Sequence, residues 1–296
     1  MQNPTLWESL VQAFTAGRLN APIILAGPHA VGKTTLIQKF CQRVWCKGGG
    51  ADNCQVCQQV ISRLYPDLFW VEREEGAAEI KLEQTQALLQ RLASTSFLGG
   101  VKIAVLAEAE YLNASSGNAL LKYLEELPPR CLFFLSTSKP NRLLPTIRSR
   151  AMYLSLPPVS RDKMSREFSW EPNLSPAERE EQAWLSGGCP GFLVRWQEDE
   201  ALWLEVKERA KLIGRWWQKD RVAHREIAAS FDKTSLAEQR DIFQELMQLL
   251  ELWLARPSGK EPPSLDRLPA LWHAQAALQS YVSPRLLLDT LFYTSL

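Results

Sequence analysis

The run Gly27-Pro28-His29-Ala30-Val31-Gly32-Lys33-Thr34 constrains the fold more than any other part of the chain, because it satisfies G-x-x-x-x-G-K-[ST] at every fixed position. Such a loop works between a strand and a helix, where glycines let successive N–H groups and the helix N-terminus face a phosphate. The flanks agree with that placement. Residues 21–26 are an apolar strand candidate, and from Lys33 the residues Leu36, Ile37 and Phe40 lead helix-like towards Trp45. The nucleotide-binding candidates are therefore Gly27, Gly32, Lys33, Thr34 and Thr35. Lys33 would reach the β and γ phosphates of ATP or ADP, and Thr34 would ligate magnesium. His29 sits at a variable position of the loop, and phosphoryl transfer there depends on the backbone and Lys33 rather than on a base.

Further apolar runs at 68–71, 102–106 and 131–136 read as strands. They alternate with helical periodicity at 82–97, carried by Leu82, Leu88, Leu89 and Leu92, and at 118–127. That alternation predicts an α/β domain with a parallel sheet flanked by helices. Pro157 and Pro158 interrupt the pattern, and no comparable strand follows. Three domains are expected: a nucleotide-binding domain over 1–157 with a cysteine-containing insertion at about 41–60, a small helical domain over 158–205, and an all-helical domain over 206–296. The small domain is interrupted by Gly187, Gly188, Pro190 and Gly191. The last contains helices at 206–217 and 236–254 and a loop at 257–265.

Lys and Arg number 34 against 33 Asp and Glu, so no uniform field directs the chain alone to a polyanion. The apolar stretches at 22–26 and 101–107 fall far short of the ~20 residues of a membrane helix. The N-terminus lacks the basic and apolar blocks of a secretory signal, and a cytoplasmic protein without a membrane partner is expected. In that compartment six cysteines favour thiols or a metal over disulfides. Trp184, Trp196, Trp203, Trp216, Trp217, Trp253 and Trp272 fall in expected helices without Lys or Arg interleaved in a groove pattern, so packing is their expected use, not stacking on single-stranded nucleic acid.

Hydrolysis needs more than a phosphate loop: an acidic residue at the end of a later strand holds magnesium, and a second carboxylate orients water. The candidate segment 103–110 presents Ala107-Glu108 where an Asp-Glu pair is expected. Around it lie Tyr111-Leu112-Asn113, the run Asn118-Ala119-Leu120-Leu121-Lys122-Tyr123-Leu124-Glu125-Glu126, and Pro128-Pro129. Phe133 to Thr137 and Leu144-Pro145-Thr146-Ile147-Arg148-Ser149-Arg150-Ala151 follow at the right separations. Together, over about residues 5–200, these resemble the bacterial clamp-loader AAA+ subunits, in which N-A-L-L-K-x-L-E-E-P-P is distinctive.

The resemblance implies an AAA+ domain, a helical lid and a helical C-terminal collar. It implies Thr137 as the sensor-1 residue, Glu108 as the remnant of the carboxylate pair, and Arg150 as an arginine finger acting in trans on ATP held by a neighbouring subunit. Ala107 replaces the magnesium-binding Asp, Gly191 stands where motor subunits carry the sensor-2 arginine, and Ala151 replaces the cysteine after the finger. Loss of two groups acting in cis, with the group acting in trans retained, resembles the delta-prime branch of the family. The implied partners are gamma or tau and delta subunits in a hetero-pentamer, and through the assembly a sliding clamp and primed DNA. The alternative is a gamma- or tau-like motor with an atypical magnesium site using Glu108 or Glu110. An unrelated kinase or GTPase fits neither the Asn118 to Pro129 run nor the absence of N-K-x-D.

The family also carries a four-cysteine zinc module after the phosphate-loop helix, and thiolates suit tetrahedral zinc. Cys46, Cys54 and Cys57 match three positions, whereas Ala51 occupies the other. Cys41, Asp52 or water would complete the shell, or the module has lost its metal. Arg142, Arg148, Arg150, Arg161 and Arg166 make a locally basic stretch that faces DNA, a subunit or solvent.

Overall fold

Strands that are apolar on both faces need cover on both sides, and the segments following the phosphate loop supply it as helices. In the computed structural model the described residues are 4–19, 21–50, 53–74, 77–232, 234–254, 268–278 and 282–293. They fall into two units, Met1–Val159 with Cys189–Gly191, and Ser160–Gly188 with Phe192–Leu296.

The first unit runs α1 (Pro4–Thr15), β1 (Ile23–Ala26), α2 (Lys33–Trp45), α3 (Gln55–Ile61), β2 (Leu68–Val71), α4 (Leu82–Ala93), β3 (Lys102–Leu106), α5 (Ala114–Glu125), β4 (Cys131–Thr137), α6 (Pro145–Arg148) and β5 (Met152–Ser155). The strands form one sheet in the order β2-β3-β4-β1-β5, with every pair parallel. Alternate residues of each strand serve opposite faces. Ile23, Leu25, Ile103, Val105, Leu132 and Phe134 join Ile37 and Phe40 of α2 in one core, while Ile24, Ala104, Leu106, Phe133 and Leu135 join Leu88 and Leu92 of α4 and Leu120 of α5 in the other. The expected parallel α/β sheet is thus present.

Two local expectations need correction. The helix expected over 82–97 ends at Ala93. The buried carboxylate of Asp67 accepts hydrogen bonds from Ser96 Oγ (2.9 Å) and from the backbone N–H groups of Phe97 (2.8 Å) and Leu98 (3.1 Å), which draws these residues into a loop. The fifth strand, β5, is not among the strands expected from the sequence, although Ala151-Met152-Tyr153-Leu154 is a short apolar run; it lies at a sheet edge, where Met152 and Tyr153 stay exposed.

The second unit is helical: α7 (Arg161–Glu167), α8 (Pro176–Leu185), α9 (Pro190–Glu198), α10 (Glu200–Trp217), α11 (Arg221–Ala229), α12 (Leu236–Leu254), α13 (Leu268–Ala277) and α14 (Pro284–Tyr293). Its helix starts are capped locally. Ser175 and Glu178 form a capping box on α8, Asp199 accepts from Leu202 N–H at α10, and Asp220 accepts from Val222 and Ala223 N–H at α11. Trp184, Trp196, Trp203, Trp216 and Trp217 are all buried, as packing requires and a stacking platform does not. The side chains of Trp253 and Trp272 and the loop at 257–265 lie outside the described residues. None of the described helices is long and apolar enough to cross a membrane.

Candidate functional site

In a parallel sheet the carboxyl ends of the strands open on one rim, where ligands of α/β proteins bind. Here that rim gathers the end of β1 and its phosphate loop, the end of β4 and the end of β3. Ala26 is in register with Thr137, and Gly27 N–H donates to the Thr137 carbonyl at 3.1 Å. Gly32 precedes α2 with φ 104°, a left-handed conformation that glycine adopts without a side-chain clash. Thr34 and Thr35 follow in the first turn of the helix, Thr34 half-buried and Thr35 exposed.

Lys33 folds back on its own loop, its Nζ donating to the carbonyls of Gly27 (2.7 Å) and Pro28 (2.8 Å). Burial pushes its ammonium below the ordinary lysine range, and the negative charge of Glu110 opposes that most, followed by Cys189 and Glu108. Thr137 is fully buried at the end of β4, where its Oγ accepts from Lys139 N–H at 3.1 Å.

The two glutamates after β3 differ sharply. Glu108 takes a left-handed backbone conformation (φ 53°, ψ 44°), and its carboxylate is 3.9 Å from His29 Nε2 and 3.6 Å from Arg73 Nε. Those partners, His29 first, hold its carboxyl below the usual carboxylate range. Glu110 is buried, with Oε1 accepting from both the N–H (3.0 Å) and the hydroxyl of Ser138, whereas Oε2 is buried without a hydrogen-bond partner among the described residues. Ala107, directly before Glu108, presents a buried methyl group, and its N–H donates to the Val71 carbonyl (2.8 Å).

Gly191 belongs to the same unit as the phosphate loop, and its N–H donates to the Ala30 carbonyl at 2.8 Å. A Cβ at 191 would lie 2.7 Å from that oxygen and 3.2 Å from Ala30 Cα. Position 191 therefore has no room for any side chain while this loop geometry holds, and an arginine could not be installed there by substitution alone.

Arg150 follows α6 and is held by Glu125, the Thr146 carbonyl and the Ser149 hydroxyl (3.4 Å) of its own chain. Its Nε (2.7 Å) and Nη2 (2.5 Å) both meet Glu125 Oε1, and Nη1 donates to the Thr146 carbonyl at 3.1 Å. About a third of the side chain remains exposed, at 34%. Glu125 was not singled out in the sequence, because nothing in the linear order links the end of α5 to a residue 25 positions later. Arg142, Arg148, Arg161 and Arg166 are exposed.

The sulfur atoms of Cys46, Cys54 and Cys57 all lie within 4.8 Å of one another, with Cys46–Cys54 at 3.5 Å and Cys54–Cys57 at 3.8 Å. Zn–S bonds of about 2.3 Å in a tetrahedron place sulfurs about 3.8 Å apart, so the three thiols fit one zinc ion. N–H donation from Cys57 lowers the Cys54 thiol, while burial pushes Cys57 up to about 12. Cys41 is instead fully buried in the hydrophobic core on the α2 side of the sheet, and Asp52 lies outside the described residues.

Residues 2–160, more than half the chain, match the family described as DNA polymerase III, delta subunit. The subunit delta' of DNA polymerase III from Pseudomonas aeruginosa is 33% identical over 195 residues, covering 62% of this chain and 58% of its own. The Escherichia coli subunit delta' is 30% identical over 210 residues, covering 66% and 62%. A DNA polymerase III subunit gamma from Buchnera aphidicola is 28% identical over 160 residues, covering 53% and 44%. The chain thus spans about three fifths of the length of these delta' relatives. With residues 2–160 matched and a phosphate loop set on a parallel α/β sheet, the chain belongs to the DNA polymerase III delta-subunit family.

Proposed function

We propose that this chain is a delta-prime-type subunit of the replicative clamp loader that supplies Arg150 in trans to ATP held by an adjacent subunit. The observation that carries the reading is an asymmetry. Ala107 cannot bind a cation and Gly191 leaves no room for a sensor-2 side chain, whereas Arg150 keeps a planar cation at the surface, oriented by Glu125. A guanidinium so placed stabilises charge on a transferring phosphoryl group, an effect worth roughly 10³-fold or more where it has been dissected.

In this reading Gly27, Gly32, Lys33, Thr34 and Thr35 bind ATP or ADP with little turnover, and Thr137 lies beside the terminal phosphate. The helical second unit supplies both the lid and the collar that joins gamma or tau and delta subunits in a hetero-pentamer, and the 205/206 boundary expected from the sequence falls inside α10 (Glu200–Trp217). The sliding clamp and primed DNA are engaged through that assembly, in the cytoplasm. The three-cysteine cluster holds zinc with a fourth ligand from outside the set.

The competing reading, a motor subunit that hydrolyses ATP itself, is favoured by the intact loop and by the carboxylate of Glu110. The isolated chain with magnesium and ATP separates the two. Negligible turnover is expected; robust hydrolysis abolished by Lys33→Ala would overturn the assembly-subunit reading.

A further inference from the structure

We propose that Glu110, and not Glu108, is the carboxylate through which this chain holds the divalent cation of a bound nucleotide. The inference rests on the nucleotide-binding part of the reading above and names the residue that takes over from the acid missing at Ala107.

Buried carboxylate oxygens are costly to leave unpaired, and a persistent orphan in a site is a place for a water or an ion. Glu110 Oε2 is such an atom. Its partner oxygen is fixed by two donors of Ser138, the residue directly after Thr137 at the end of β4, which also fixes where Oε2 can be. The strand ends bring this carboxylate to the same rim as the phosphate loop, because β3 pairs with β4 and β4 with β1. Among the carboxylates, Glu110 exerts the largest electrostatic influence on Lys33. A carboxylate and an ammonium facing one phosphate group is the charge arrangement that a magnesium–nucleotide complex needs: the ammonium takes phosphate oxygens and the carboxylate takes the ion or its hydration water.

Glu108 lacks these properties. Its carboxylate already meets the His29 ring and the Arg73 guanidinium, and its side chain is 36% exposed, so it is neither an unpartnered nor a buried oxygen donor. Glu110 adds no hydrolytic step here; the role is to hold the ion.

The test measures affinity for ADP, by titration calorimetry on the full chain, with magnesium in excess and again with EDTA. Magnesium is expected to tighten binding by wild type about tenfold or more, the scale on which even groups that only orient metal ligands change metal affinity. Glu110→Gln should bring the ratio of the two affinities close to one, with metal-free affinity unchanged or tighter because a negative charge near the phosphates is gone. Glu108→Gln should keep the wild-type ratio. A wild-type ratio in Glu110→Gln, or its loss in Glu108→Gln, overturns the inference. So does a wild type that binds ADP equally well with and without magnesium, although nucleotide binding itself then stands. If wild type binds no ADP under either condition, the nucleotide-binding reading falls, and the inference with it. Should Glu110→Gln fail to fold, Ser138→Ala decides: freeing Oε1 from the hydroxyl should reduce the magnesium gain, and an unchanged gain overturns the inference.

Discussion

Gly191→Ala is the substitution whose effect follows most directly from geometry. The Gly191 backbone lies outside the left-handed region, so alanine costs nothing there through its own φ; the cost comes from contact. The new Cβ would sit 2.7 Å from the Ala30 carbonyl oxygen and 3.2 Å from Ala30 Cα and Cβ. Backbone on both sides must move by a few tenths of an ångström or more, which also strains the 2.8 Å hydrogen bond between Gly191 N–H and that carbonyl. Overpacking of this kind costs roughly 1–3 kcal/mol, and a midpoint of about 2 kcal/mol raises the local opening equilibrium roughly 30-fold. Hydrogen exchange read by mass spectrometry on peptides spanning 28–33 and 189–191 should show that loss of protection, while strand β1 stays protected. The same crowding predicts that Gly191→Arg gives no gain of ATP turnover in the isolated chain. Wild-type protection in Gly191→Ala would refute the argument, because it would mean that the segment yields without cost.

His224 provides a pH test in the second unit. Its Nδ1 accepts from Trp216 Nε1 at 3.2 Å and its Nε2 is 3.0 Å from Asp289 Oδ1, while the ring stacks on Phe292 at 4.1 Å. Burial lowers its pKa, with Arg285 and Lys219 adding to the shift, and outweighs the raising effect of Asp289. A histidine whose folded pKa is depressed takes up its proton more readily when unfolded, so stability is full above about pH 6.5 and falls as pH drops through that value towards the folded pKa. Urea midpoints between pH 7.5 and 5 should therefore fall more steeply for wild type than for His224→Gln, and parallel curves would refute this. Metal analysis of protein purified without added zinc or chelator should give close to one zinc per chain, and Cys54→Ser should lower it; a value near zero for wild type removes the zinc assignment.

The first unit was readable in the sequence because its signals are local. A fixed-spacing loop between a strand and a helix is legible from residues 21–45 alone, and the apolar runs at 68–71, 102–106 and 131–136 became strands because a strand buried on both faces has no polar alternation to hide it. The edge strand β5 carried a comparable short signal in Met152, Tyr153 and Leu154 and was passed over, while the fold leaves Met152 and Tyr153 exposed at the sheet edge. Pairings across the fold were illegible. Nothing in the linear order tells that Asp67 would unwind the end of α4, that Glu125 would hold Arg150, or that Ser138 would seat one oxygen of Glu110 and leave the other bare. Likewise, the glycine at 191 read as an absent arginine, whereas the fold adds a positive reason for glycine, the approach of the Ala30 carbonyl.

The central claim, that Arg150 acts on a neighbour's nucleotide, is tested most directly by Arg150→Ala in a clamp loader reconstituted with gamma or tau and delta subunits. With primed DNA and the sliding clamp present, ATP turnover at the site that Arg150 completes should fall by roughly 10³-fold or more, as loss of a trans arginine requires. The variant chain should still join the complex and bind ADP as wild type does. Turnover equal to wild type in a fully assembled complex would contradict the account.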